Sequence, residues 1–265
     1  MEDILGYAAS GLIGVALGLI GGGGSILTVP VLVYLFHVEP ALATAYSLFI
    51  VGVTSLVGGV RSAVHKLVDF KTAIVFAIPS LVAVYLSRRY LMPFIPDDLF
   101  AIGSYVVTKD VAIMVLFAVI MLFASISMIR SKSEEYDGDK PNHYNFPMIF
   151  IEGTIVGLIT GVVGAGGGFL IIPALVLFAG LPMKKAVGTS LIIIAVKSLI
   201  GFSGDIGSGQ EINFAFMFVI SAIAIVGIFV GTYLSQYIAG NRLKSAFGWF
   251  VFLMGVYIIA SETLL

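Results

Sequence analysis

The chain has 265 residues, 59% of them hydrophobic and 11% charged, with a mean hydropathy of +1.10. Soluble globular chains carry roughly 45–50% apolar and about 25% charged residues, so the solvent this chain is built for is lipid. A net charge of −1 gives no basic field for nucleic acid, and the absence of cysteine excludes disulfides, thiolate metal sites and thiol catalysis.

A bilayer core about 30 Å thick takes roughly 20 apolar residues per helical crossing. The first apolar stretch, Ile4–Leu35, is too long for one upright crossing and is interrupted by Gly21-Gly22-Gly23-Gly24-Ser25. Glu2 and Asp3 stand where a signal peptide carries basic residues, so the N-terminus reads as retained. Ala41–Val60, Thr72–Ser87 and Val111–Ile129 follow as spans, none with the alternation of a barrel strand. Arg130–Asn145 is the most polar stretch and reads as a solvated linker. Phe146–Ala179 is again overlong, broken at Gly164-Ala165-Gly166-Gly167-Gly168, and Met183–Phe202, Phe214–Tyr237 and Leu243–Ala260 complete the spans. The expected fold is an all-α polytopic membrane protein: a first transmembrane repeat at 1–130, a cytoplasmic linker at 131–145 and a second transmembrane repeat at 146–265.

The halves match at one offset, 143 residues, which sets Pro30 on Pro173. Gly14, Gly18, Gly21, Gly23 and Gly24 then fall on Gly157, Gly161, Gly164, Gly166 and Gly167, and Ser47, Ser55 and Gly58 on Ser190, Ser198 and Gly201. Apolar composition alone matches some Leu and Val, but not ordered glycines, serines and a proline. The distribution of Lys and Arg decides the threading. If each broken stretch crosses once, the basic residues fall almost evenly on both sides. If each folds back at its glycines as two half-helices or a hairpin, one face collects Arg61, Lys66, Lys71, Arg130, Lys132, Lys140, Lys184, Lys185, Arg242 and Lys244. The other keeps only Arg88, Arg89 and Lys109. The first face is then cytoplasmic and both termini lie outside. Each half keeps three full crossings, so the halves are inverted copies, the pattern of secondary transporters with a site between repeats.

Broken helix is tolerated in hydrocarbon only where the freed backbone is buried in protein or lines a wet cavity. The two breaks are therefore expected to face each other near the midplane. The helices resuming at Ser25 and Gly168 direct unpaired N–H groups and a positive dipole end at the breaks, which favours an anion. The competing reading is that these glycines serve only close helix packing, which asks for spaced glycines such as Gly14 and Gly18 more than for a run. A phosphate loop fails, because no Lys-Ser/Thr follows Gly24.

Inside the later spans, Ser47 and Ser55 are eight residues apart, roughly on one helix face, and Ser190 and Ser198 repeat this. Such hydroxyls either donate to an oxyanion or bond their own helix. Lys197 is the sharpest single signal, since an ionisable residue within a span is costly. Its repeat mate is Thr54, and its alternatives are snorkelling or pairing with Asp205 two turns on. Arg61 and His65 read as interfacial anchors, and Glu152 as an interfacial acid ahead of a proton site. No His/Asp/Glu spacing suits a metal, and no cofactor is implied.

The paired motifs Gly18-Leu19-Ile20-Gly21-Gly22-Gly23-Gly24-Ser25-Ile26-Leu27-Thr28-Val29-Pro30 and Gly161-Val162-Val163-Gly164-Ala165-Gly166-Gly167-Gly168-Phe169-Leu170-Ile171-Ile172-Pro173 resemble the TauE/SafE sulfite exporter family over nearly the whole chain. The second half continues Gly188-Thr189-Ser190-Leu191, and the first departs from it with Tyr46 in place of Thr189. The resemblance implies export of sulfite, organosulfonates such as sulfoacetate, or other small carboxylates across the bacterial plasma membrane. The expected substrate contacts are Gly22, Gly23, Gly24, Ser25, Ser47, Gly166, Gly167, Gly168, Thr189, Ser190 and Lys197. An anion-selective channel and an intramembrane enzyme are the competing functional classes.

Overall fold

The computed structural model describes residues 2–102, 105–130, 146–164, 166–177, 179–206, 212–235, 237 and 240–264. The linker expected at 131–145 lies outside them. Helix α1 (Glu2–Ile20) ends at Gly21, whose φ of +78° suits a residue without Cβ, and a 3-10 turn at Gly22–Gly24 leads into α2 (Ser25–Tyr34). Helix α3 (Pro40–Val64) starts on a proline, which needs no partner for a missing N–H. Helix α4 (Phe70–Leu86) is capped by Asp69, whose carboxylate accepts the Thr72 N–H at 2.9 Å. It runs through a π turn at Ser87–Leu91 into the short α5 (Met92–Phe94). An antiparallel hairpin, β1 (Asp98–Ile102) and β2 (Tyr105–Thr108), then precedes α6 (Lys109–Arg130). The second half consists of α7 (Phe146–Val163), α8 (Gly168–Leu177), α9 (Met183–Asp205), α10 (Phe214–Leu234) and α11 (Gly240–Leu264).

Among the described residues, five helices are long and apolar enough to cross a membrane: α3, α4 with its extension, α6, α9 and α10. Ile74, Ile78, Val82 and Tyr85 form an exposed apolar stripe along α4, and Val226, Val230 and Tyr233 do so on α10. In water such stripes would be an aggregation hazard; against acyl chains they are at home. The helical expectation holds, and the structure adds one hairpin to it.

Both broken stretches fold back. The Tyr7 and Phe36 rings lie 5.4 Å apart, so the start of α1 is beside the end of α2, and Ile13 and Leu17 of α1 pack with Leu27 and Val31 of α2. In the second half Ile149 and Val156 of α7 share a core with Ala174 of α8 and Ala179 just beyond it. The loops sort onto two faces. On the hairpin face, Asp110 accepts the Ala41 N–H at 3.1 Å, Tyr34 donates to Glu262 at 3.1 Å, and the Asn213 N–H donates to Tyr46 at 2.8 Å. On the lysine face, the Asp69 N–H donates to Thr189 at 2.9 Å, and Gly188 lies against the Leu67 carbonyl.

Helix α1 packs on α10, α7 on α4, α3 on α9 and α6 on α11. Adding 143 residues carries α1 to α7 and α4 to α10, so the unlike pairs exchange. Glycines make these approaches possible. A Cβ at Gly14 or Gly18 would strike the α10 backbone at Ala224 or Ile228, and one at Gly157 or Gly161 would strike Ser80 of α4 or Ser87 in the π turn after it.

Candidate functional site

The two breaks meet. A Cβ added at Gly22 would overlap the Gly168 backbone, and one at Gly168 would overlap Gly22 in return, so only glycine fits on either side. Gly166, with φ of +62°, lies against Ser25 and against Val51 and Ile194, at the middle of α3 and α9. The contact between the halves is therefore at mid-depth. Further contacts come in reciprocal pairs. Gly21 rests on Val187 and Gly164 on Thr44; Gly58 rests on Leu191 and Gly201 on Leu48; Gly24 faces Ile13 and Leu17, while Gly167 faces Val156 and Thr160.

Lys197 is fully buried, which sets snorkelling aside. From α9 its Nζ reaches across to donate to Thr160 Oγ1 on α7 at 3.1 Å, and it comes against Gly167 in the second break. Asp205 pairs instead with Arg88, 3.6 Å from Nε to Oδ2. Among the described residues, Thr160 is the only hydrogen-bond partner of the lysine, so its amine stands buried beside the glycine break with no carboxylate against it. An amine in such a place carries a desolvation cost whenever it is protonated, a cost that an anionic guest would offset.

The other expected residues divide. Gly22, Ser25, Gly166, Gly167, Gly168 and Lys197 come together at mid-depth, and Gly23 lies in the same 3-10 turn as Gly22. Gly24 is turned to the α1 backbone, and the Ser25 hydroxyl donates to the Gly22 carbonyl at 2.7 Å, within its own loop. Ser190 donates to the Val187 carbonyl at 2.8 Å and sits close to Gly21 at the tip of the first break. Thr189 is nearer the lysine face, where its hydroxyl accepts the Asp69 N–H and ties α9 to the loop before α4. Ser47, Thr54, Ser55 and Ser198 are buried hydroxyls with no hydrogen-bond partner among the described residues. Hydroxyls that ignore the nearby helix carbonyls, as these do, are free to meet a polar guest.

Sequence reasoning missed Thr160 and Arg88. Thr160 stands where the first half has Leu17, one turn before the break; that substitution, set beside Lys197 for Thr54, was the available signal. Arg88 reads as a loop residue beside Arg89, yet it is buried. At the lysine face, Arg61 lies 5.6 Å over the Phe229 ring and accepts at its carbonyl from His65, as anchors do. Glu152 is half-buried.

A family model described as Sulfite exporter TauE/SafE matches residues 7–258. A probable membrane transporter protein of Xylella fastidiosa is 27% identical, over 97% of this chain and 94% of its own. One from Methanocaldococcus jannaschii is 30% identical over 76% of this chain and 71% of its own, and one from Bacillus subtilis is 29% identical over 76% and 77%. No solved structure matches the chain.

Proposed function

Because the chain belongs to the sulfite exporter TauE/SafE family, whose members here are membrane transporters and not enzymes, we propose that it exports a small sulfur-containing oxyanion, sulfite or an organosulfonate, by alternating access. The observation that carries this reading is the meeting of two glycine breaks at mid-depth beside a buried lysine with no acid partner among the described residues. An oxyanion there gains the Lys197 ammonium, the N–H groups exposed by the breaks, and the unpartnered hydroxyls of Ser47, Thr54, Ser55 and Ser198.

The halves at 1–130 and 146–265 act as inverted repeats joined by the linker at 131–145. The exchange of α1/α10 for α7/α4 and the reciprocal glycine contacts support this, since a two-fold relation between halves produces such swaps. With Lys66, Lys71, Lys184 and Lys185 on one face, that face is cytoplasmic, the membrane is the bacterial plasma membrane, and both termini are outside. Rocking of one repeat against the other exposes the central site to each side in turn. The inside-negative potential drives an anion outward with about 2.3 kcal/mol per charge per 100 mV, so export needs no nucleotide.

Purified protein tests the substrate class. Sulfite and sulfoacetate should raise the thermal midpoint in a saturable way, while taurine, a zwitterion, should do so less; stabilisation by lactate alone would reassign the protein to carboxylates.

A further inference from the structure

Arg88 plays no part in the central site, yet it is a second buried cation within the fold. It sits on the π turn at the hairpin-face end of α4 and is only 2% exposed. An arginine whose task is to bind α4 to α9 would grip its carboxylate in a fork at about 2.7–2.9 Å. Here Nε stands 3.6 Å from Asp205 Oδ2, and Nε and Nη2 make no hydrogen bond among the described residues. The neighbouring Ser87 hydroxyl is also buried without a partner, and it packs on Gly161, the residue after Thr160. Thr160 in turn holds Lys197. A line of polar groups thus runs through the cleft between α4, α7 and α9, from the midplane towards the hairpin face. Lys197 and Asp205 are eight residues apart on α9, about 12 Å along the axis at 1.5 Å per residue.

The equivalent cleft of the other half lacks this line. At the 143-residue offset Lys197 corresponds to Thr54, Thr160 to Leu17, Ser87 to Val230, Arg88 to Gly231 and Asp205 to Ser62. Both cations that are buried among the described residues belong to one of the two clefts.

We propose that Arg88 is a second anion-binding station on the exit side of the central site, and that the α4/α7/α9 cleft is the route an oxyanion takes from Lys197 to the outside. This rests on the export reading given above. The ligand is an anion with at least two oxygens that can engage Nε and Nη2 together, with Ser87 as a further donor. Asp205 holds the guanidinium in place between passages and yields to the anion when it arrives. A symmetric scaffold thereby gains an asymmetric route: among the described residues the buried guanidinium lies only on the outward side, while the membrane potential sets the direction of flow.

The test is sulfite efflux from proteoliposomes containing the full chain, alongside sulfite-induced thermal stabilisation, which reads the Lys197 site. Arg88→Gln should slow efflux about tenfold, the worth of one charge-assisted forked contact, while stabilisation by sulfite persists. The double variant Arg88→Gln with Asp205→Asn removes both charges of this pair together, with its thermal midpoint reading whether it is folded. It should be equally slow. Recovery of wild-type efflux in the double variant would show that the pair only braces α4 against α9 and would overturn the proposal, as would unimpaired efflux in the single variant. Wild-type protein that moves no sulfite overturns the export reading and this one with it, whereas normal wild-type flux with a normal double variant overturns this one alone.

Discussion

At the level of single residues, two glycines without a Cβ and one buried lysine carry the central site. Gly22 and Gly168 touch through their backbones, so any Cβ forces the breaks apart. Gly168→Ala should abolish transport and cost about 1–3 kcal/mol of stability as overpacking does, read as a lower thermal midpoint, with insertion preserved; transport at the normal rate would contradict the close approach. Lys197 behaves in the opposite sense. It is buried against a threonine with no acid partner among the described residues, so Lys197→Met relieves a desolvation cost. The empty protein should melt at the same temperature or higher, while the rise induced by sulfite disappears. A Lys197→Met protein that still binds sulfite as wild type does would remove the lysine from the site.

At the scale of elements, the broken segments were legible because glycine runs in apolar stretches admit few physical explanations, and the offset of 143 residues pointed to both at once. The element bounds follow that offset closely, with α2 at Ser25–Tyr34 and α8 at Gly168–Leu177. The β1–β2 hairpin was not read, although Asp98–Ile102 and Tyr105–Thr108 flank Gly103-Ser104, because an apolar-run search treats so short a stretch as a loop. Thr189 shows what a motif alone leaves out. Sequence sets it beside Ser190 as an expected substrate contact; in the fold its oxygen also accepts the Asp69 N–H, a partner that only tertiary packing supplies. Thr189→Val should therefore cost roughly 1 kcal/mol of stability by leaving that N–H unmet, read as a lower thermal midpoint, with sulfite affinity little changed. The Asp110 carboxylate plays a similar part for the N-terminus of α3, and Asp110→Ala should cost about 0.5–2 kcal/mol, as loss of a helix cap does.

At the scale of the full chain, the swap of packing partners between halves and the gathering of Lys66, Lys71, Lys184 and Lys185 on one face describe a protein whose two sides are related but unequal. The chain has no cysteine, so single-cysteine variants report topology without background. Phe100→Cys in the hairpin should react with a membrane-impermeant maleimide in intact cells, and Lys66→Cys only after permeabilisation; the reverse pattern would invert the orientation. The fold could serve a channel as well as a carrier, and the difference lies in whether the central site is ever open to both sides. Counterflow decides it: proteoliposomes loaded with unlabelled sulfite are diluted into trace radiolabelled sulfite under zero potential. The account predicts transient, saturable uptake of label above its equilibrium level, driven by exchange through one site. Uptake that rises linearly with concentration and never overshoots would contradict it.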